Sequence, residues 1–380
     1  MKTHLTIFAL MVSLVLGSEL QAQNQALQRM ISSNLRTLGM GGAAVAVPIS
    51  DNPFFYNPAL LAGVGRARLN LVDLRFRFNQ AFFDQLKFYR DHREQINDTE
   101  NLTPEEQNQL FSEALQEAQK LANVIVDGPL PINYVQRNFG IGLFTQGDLQ
   151  YEIFAGASGL PVLNVALKTN IALMTGYAIS VSGLLPHPIH IGVAAKYLIR
   201  AQTQKTKSLL SFSEEEEFEV YEGQAFSFDL GLIYPITHNL HFGMAFYDVN
   251  RPEIEWRVNV DNPVTPMPET RIEKSMRMGI AYYPRMRLGK LFYNLRFALD
   301  IDEPFNSDIT FFKKVFFGAE ANITPIIFAR GGFYQGYPAF GVGVNFHVIR
   351  LNFAFYGEEL GKYAGEFVSW TRAVSVQVGI

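Results

Sequence analysis

Val162–Val181, VLNVALKTNIALMTGYAISV, alternates without interruption. Its odd positions read Leu163, Val165, Leu167, Thr169, Ile171, Leu173, Thr175, Tyr177, Ile179 and Val181. Its even positions read Asn164, Ala166, Lys168, Asn170, Ala172, Met174, Gly176, Ala178 and Ser180. Successive strand side chains point to opposite faces, so an apolar face stands against a small and polar one. The pattern holds for about twenty residues, against roughly five or six in an ordinary globular strand. A tilted strand crosses the hydrocarbon of a bilayer in about 9–11 residues, and the excess extends the wall beyond it. One face suits lipid; the other suits a wet or side-chain-filled interior.

The alternation returns in AFSFDLGLIY, where Phe226, Phe228, Leu230, Leu232 and Tyr234 oppose Ser227, Asp229 and Gly231. It returns again in LHFGMAFY, LFYNLRFALD and RAVSVQVGI. Aromatic residues are 13% of the chain, with 32 Phe, 16 Tyr and two Trp, as the interfacial girdles of a barrel require. A soluble β-sandwich is the competing architecture, and long strands with aromatic ends favour lipid. The chain has no Cys, so it has neither a disulfide framework nor a lipid-modified cysteine. A net charge of -4 gives no electrostatic footprint for nucleic acid.

Lys2 precedes the apolar run LTIFALMVSLVLG, and SELQAQ supplies Ala22 for cleavage. Residues 1–22 are expected to be a secretory signal peptide, with an uncleaved anchor as the alternative. Beyond it, no apolar run is long enough for a membrane helix.

Strands are expected at 66–78, 131–136, 139–155, 162–182, 188–202, 221–236, 240–248, 271–284, 291–301, 311–323, 325–334, 338–347, 350–357 and 368–380. These make fourteen strands, an even number as a closed bacterial barrel requires. Short connections at 136–138, 183–187, 237–239, 284–290, 324 and 347–349 alternate with longer ones near 79–130, 203–220, 249–270, 302–310 and 358–367. Two further connections on the long side, 156–161 and 335–337, are short. Outer-membrane barrels turn tightly on the periplasmic side and loop outside, so the count and the loop lengths agree. The fold class is an all-β membrane protein: a 14-stranded antiparallel outer-membrane barrel over 66–380.

Two parts break the rhythm. In LTPEEQNQLFSEALQEAQKLANVIV, Thr103 is placed as N-cap, Pro104 as first helical residue and Glu106 as capping-box partner. Residues 79–127 are expected to be a helical insertion after strand one, acting as a lid, a plug or an outer decoration. The other part, 23–65, carries Gly39, Gly41 and Gly42, then Phe54, Phe55, Tyr56, Asn57, Pro58 and Ala59. Small residues let a backbone pass close to a wall, and prolines prevent ladder pairing. The segment fits a hatch folded into the lumen; a periplasmic tail is the alternative.

Arg75, Arg77, Lys168, Lys196, Arg296 and Arg330, with Asp229 and Glu320, fall on the interior face in this register. They are either salt bridges among wall, hatch and helices, or contacts for a ligand's carboxylate head group. The pairs His187/His190 and His238/His241 lack a third metal ligand. Glu214–Glu217 reads as a solvated outer loop, with a cation site as its alternative. GASG around Ser158 fails the spacing of a nucleophile elbow, and GVGV at Gly341 reads as small-residue wall. No metal, cofactor or catalytic set is assigned, and the chain is not expected to be an enzyme.

The run LRTLGMGGAAVAVPISDNPFFYNPALLAG resembles the N-terminal signature of the FadL-like long-chain fatty acid transporter superfamily, in which an Asn-Pro-Ala tripeptide, here Asn57, Pro58 and Ala59, precedes strand one. NPALLA followed by a helical insertion also resembles the TraF-like branch. The tail from GAEANITPIIFARGGFY onward is similar to the last strands of PorV-type adaptors. The resemblance implies a fourteen-stranded barrel plugged by its N-terminal segment, with those three residues in the hatch. It also implies passive uptake of small hydrophobic molecules such as long-chain fatty acids. Ligand contacts do not carry over, because the outer loops do not match. The chain ends in Ile380 instead of the terminal aromatic often read by assembly machinery. The expected partners are membrane lipids and a hydrophobic small molecule. The alternative role is an adaptor or scaffold for secretion or conjugation, presenting 79–127 and 249–270 to a partner protein.

Overall fold

The computed structural model describes residues 34–380 except 49–51, 99–100, 119, 129–131, 156–160, 184, 209–217, 262, 264, 266, 290, 362 and 364. The expected signal peptide, Ser158 and Glu214–Glu217 lie outside the described residues.

Five helices are described: α1 (Leu35–Gly39), α2 (Gln80–Asp91), α3 (Arg93–Asn97), α4 (Pro104–Ala118) and α5 (Phe311–Lys314). None is long and apolar enough to cross a membrane. The strands are β1 (Arg68–Asn79), β2 (Ala122–Asp127), β3 (Ile132–Gln136), β4 (Phe139–Ala155), β5 (Pro161–Val181), β6 (Ile189–Ser208), β7 (Tyr221–Pro235) and β8 (Leu240–Tyr247). They continue with β9 (Glu255–Val258), β10 (Ser275–Tyr282), β11 (Tyr293–Asp302), β12 (Val315–Asn322), β13 (Ile327–Tyr334), β14 (Tyr337–Phe346), β15 (Ile349–Glu359) and β16 (Val368–Gly379).

All pairings are antiparallel, and β16 returns to pair β1 from Asn70↔Gly379 to Asn79↔Thr371. Closure leaves no sheet edge, so every strand finds its hydrogen bonds within the wall, as hydrocarbon demands. β2 and β3 both pair β1 and β4, so they are two pieces of one stave. β8 and β9 likewise both pair β7. The sixteen segments therefore build fourteen staves.

The exposed positions show which face meets lipid. On β5, Leu167, Ile171, Leu173, Tyr177 and Ile179 are exposed, while Asn170, Ala172, Met174 and Ala178 are buried. On β7, Phe226, Phe228 and Leu230 are exposed, while Ser227 and Asp229 are buried. The alternating rows thus divide between an apolar exterior and a filled interior. The chain is a membrane-spanning β-barrel of the outer-membrane type.

The span 79–127 is not helical throughout: residues 122–127 form β2, the upper half of the second stave. ANVIVD follows the helix with neither Gly nor Pro to mark the change, so its apolar residues read as helix continued. α2 and α4 sit on the outer rim. Phe82 and Phe83 pack on Phe78, whose side chain lies on the outward face of β1, and the Arg372 guanidinium covers the Phe83 ring at 4.7 Å. α2 therefore packs on the outside of the wall and not within the lumen.

Candidate functional site

Asn34–Val64 runs inside the barrel, and almost every side chain described in it is buried. The Asn34 side chain caps α1 by accepting from Arg36 N at 2.9 Å. Gly41 and Gly42 then reverse the chain at φ 64° and 81°. A Cβ on Gly42 would stand 2.8 Å from both Phe316 and Tyr334, so both backbone conformation and space require glycine there. Short 3-10 turns at Pro53–Phe55 and Pro58–Gly63 carry the chain down to β1. Each opens on proline, whose missing N–H costs nothing at a first helical position.

The wall yields to this segment through its own glycines. Cβ atoms built on the inward positions Gly231, Gly243 and Gly318 would meet Ala59 N, Ala46 Cα and Met40 Cα at 2.9 Å. Gly39 and Gly341 face one another, each Cβ position 2.9 Å from the other's Cα. Backbone therefore lies on backbone, with no side-chain layer between.

Polar groups fix the register of that contact. Asn57 Nδ2 donates to Val45 O at 2.9 Å and to Leu232 O of β7 at 3.0 Å, while its Oδ1 accepts from Ala59 N at 3.0 Å. Asp300 of β11 accepts from Ala44 N at 2.7 Å and Val45 N at 2.9 Å. Tyr56 OH accepts from Asn34 N at 2.7 Å, and Tyr247 OH donates to Tyr56 O. Glu320 of β12 is the charged hub. Arg36 Nε and Arg330 Nε each reach its Oε2 at 2.8 Å, and Arg296 binds its Oε1. Glu320 is 1% exposed, so this carboxylate is held by cations from the segment and from two staves. Such a charge is tolerable in the interior only because it is paired.

All nine residues placed in the hatch from sequence lie in or beside these contacts. Phe54 is 0% exposed, and Phe55 stacks edge-on with Phe144 of β4, ring centroids 4.5 Å apart. The lumen charges fall into separate groups. Arg75 pairs with Asp73, and Arg77 with Asp127 at 3.2 Å. Lys196 bridges Asp229 and Asp248, each at 2.7 Å, and Lys168 stands across the strand pair from Asp148. Of the six, Arg296 and Arg330 meet at one carboxylate, that of Glu320.

Sequence reasoning missed Arg36 and Asp300, and of the wall glycines it assigned only Gly341, as small-residue wall. The glycines had a legible signal: Gly176, Gly192, Gly231, Gly243, Gly318 and Gly341 all fall on the interior parity of their strands. Asp300 and Arg36 had none, since each finds its partner more than two hundred and fifty residues away.

An apolar stripe lines one side of the interior. Ile254 and Ile272 at the outer end belong to one contiguous cluster with Ala225, Leu198, Met174, Phe144 and the segment's Phe54, Phe55 and Tyr56. Trp256 packs against it, its indole N–H donating to Glu269 O at 3.1 Å. Among the described residues, no group of three His, Cys, Asp or Glu is placed to hold a metal.

No family model matches the sequence, and no curated protein matches it. Solved structures do. The monoaromatic hydrocarbon channel TodX, in a deltaS2 mutant, aligns at TM-score 0.51 and 9% identity, over 92% of this chain and 98% of that one. The toluene transporter TodX of Pseudomonas putida aligns at 0.49 and 9% identity, over 90% and 96% of the two chains. The toluene transporter TbuX of Ralstonia pickettii gives 0.47 and 12%, over 92% and 99%. At such identities the likeness speaks for fold. Together with the closed wall of fourteen staves and the segment seated inside it, the alignment at TM-score 0.51 shows that the chain has the fold of an outer-membrane β-barrel channel.

Proposed function

We propose that this barrel passes small hydrophobic molecules passively across the outer membrane, and that Asn34–Val64 is the hatch whose displacement opens the path. The observation that carries this reading is the apolar stripe from Trp256 and Ile254 at the outer mouth to Phe55 and Tyr56 at the hatch. These side chains are packed together with the segment in place, and its displacement would present them to a hydrophobic solute entering from outside. The monoaromatic hydrocarbon channel with which the chain aligns at TM-score 0.51 is named for a cargo of that kind. Long-chain fatty acids are the cargo implied by the N-terminal resemblance. A fatty carboxylate entering the lumen would compete for Arg77, Lys168 or Lys196 with the carboxylates Asp127, Asp148, Asp229 and Asp248 beside them.

The test uses proteoliposomes holding the full chain or a variant lacking residues 24–63, with uptake of labelled palmitate and of toluene followed in parallel. Uptake by the full chain above protein-free vesicles, and faster uptake by the deletion variant, are expected. Uptake equal to protein-free vesicles in both proteins overturns the reading. Palmitate without toluene, or the reverse, decides the cargo.

One observation favours the second reading, an adaptor for a partner protein. On α2, Leu86 and Tyr89 are exposed at 51% and 47%, away from the rim contacts made by Phe82 and Phe83. A stoichiometric partner lost on Leu86→Ser, Tyr89→Ser would support it.

A further inference from the structure

The two rims of the barrel are oppositely charged. At the short-turn end, the connections carry Arg66, Arg137, Arg285, Arg287 and Lys290 and no Asp or Glu. His187, His238 and His347 lie in other short turns, which carry no Lys or Arg. At the other end, residues 80–121 alone hold nine Asp or Glu against four Lys or Arg. Short turns mark the periplasmic side. Among the described residues, Arg66, Arg137, Arg285 and Arg287 are exposed and none is in an ion pair.

Depth identifies what such a collar meets. Tyr134, Tyr177, Tyr234 and Tyr282 point outward near the lower ends of their strands, where an aromatic girdle meets the interface. Arg137 and Arg285 each follow a girdle tyrosine by three residues. At about 3.3 Å per residue along a tilted strand, that places them roughly 7 Å below the girdle. The headgroup layer of one leaflet is about 5–7 Å deep. The longest of these turns interleaves apolar side chains with its cations: Met286, beside Arg285 and Arg287, is 51% exposed, and Leu288 is 59% exposed. The cations sit in two patches about half the ring of staves apart, Arg66 with Arg137 beside the β1–β3 pairing and Arg285 with Arg287 between β10 and β11, which suits separate lipids better than one docked protein.

We infer that the periplasmic rim is a basic collar that selects anionic phospholipids, such as phosphatidylglycerol, from the inner leaflet of the outer membrane. Arginine donors match phosphate oxygens. The turns have no carboxylate to receive an ethanolamine ammonium, so the zwitterionic headgroup gains less there than the anionic one. This selection is independent of the cargo.

The experiment reconstitutes the full chain in nanodiscs of phosphatidylcholine with trace spin-labelled phosphatidylglycerol or phosphatidylethanolamine, and reads the motionally restricted fraction of each. The expected preference for phosphatidylglycerol is about fivefold at low salt, the effect of one surface cation per headgroup. It falls toward one in 0.5 M KCl and in the variant Arg66→Gln, Arg137→Gln, Arg285→Gln, Arg287→Gln. It persists in the outer-rim control Lys87→Gln, Arg90→Gln. Folding of each variant is checked by heat-modifiable mobility in gels. A wild-type ratio of one, as expected if the collar instead serves an acidic protein, overturns the inference. So does a ratio unchanged in the quadruple variant.

Discussion

The inner segment and the helical insertion are both irregular chain attached to the same wall, yet they are held in different ways. Asn34–Val64 is held by the barrel: its backbone lies on wall glycines, and its polar groups are bound by Asp300, Glu320, Leu232 and Tyr247. The insertion is held mainly by itself and the rim. Thr103 and Glu106 close a capping box, His92 meets Glu113 at 3.0 Å, and Gln85 Nε2 donates to Lys120 O at 2.7 Å. The difference shows where a change will be felt. Altering the wall disturbs the inner segment, whereas altering the insertion stays local.

Glu320→Gln breaks the comparison hardest. Removing that carboxylate leaves Arg36, Arg296 and Arg330 gathered without their anion. Loss of one partner from a buried pair costs about 3–5 kcal/mol. Thermal unfolding in detergent should show that loss, and solute uptake should rise as Arg36 releases the segment. An unchanged melting temperature would contradict the hub.

Gly231→Val sharpens the comparison from the wall side, because its side chain would invade Asn57 and Ala59 without altering the segment itself. Overpacking of this kind costs about 1–3 kcal/mol. The control is Gly331→Val, whose Cβ would face lipid with nothing nearer than Ala339 O at 3.9 Å. Equal effects of the two substitutions on stability and uptake would remove the distinction between the faces.

Thr103→Ala should cost about 1 kcal/mol of helix stability through the lost cap. Hydrogen exchange should quicken within Pro104–Ala118, while uptake and barrel melting stay the same. The smallest effect is that of pH on the same turn. Hydrogen bonds from the Thr103 backbone N–H and hydroxyl hold the exposed Glu106 carboxyl below its usual range. A depressed carboxylate contributes above its unfolded pKa of about 4.3 and loses that contribution as pH falls through the folded value. Exchange in α4 should therefore be flat from neutral pH down to about 5, after correction for the intrinsic rate, and should rise only in more acidic buffer.

Much of the wall was legible because a strand's period is local. Phe226 to Tyr234 and Leu163 to Val181 declare their two faces with no knowledge of their neighbours. The breaks in the wall were less visible. Asp127 and Ile132 belong to one stave, but the chain between them carries Gly128 at φ 94° and two prolines, so only the lower piece was expected as a strand. The stave of β8 and β9 is interrupted in the same way, with Asp248 and Arg251 both at positive φ. In the inner segment, Gly39 to Ala59 was legible from composition, since small residues and prolines suit close passage and forbid pairing. Its anchors were not, because Asp300 and Glu320 look like any other inward charge until the fold brings Ala44 and Arg36 to them.

The most direct test of the central claim is a tether between the inner segment and the wall. The chain has no native cysteine, so Phe54→Cys with Gly176→Cys introduces a single pair. A Cβ on Gly176 stands 3.2 Å from the Phe54 Cβ, a few tenths of an ångström short of the Cβ separation of a disulfide, and its tighter neighbour is the end of the Leu61 side chain. Uptake of a hydrophobic solute is measured in the same proteoliposomes, oxidised and then reduced. A hatch that must move predicts low uptake when oxidised and recovery on reduction. Equal uptake in both states, with the disulfide shown to have formed, would contradict it.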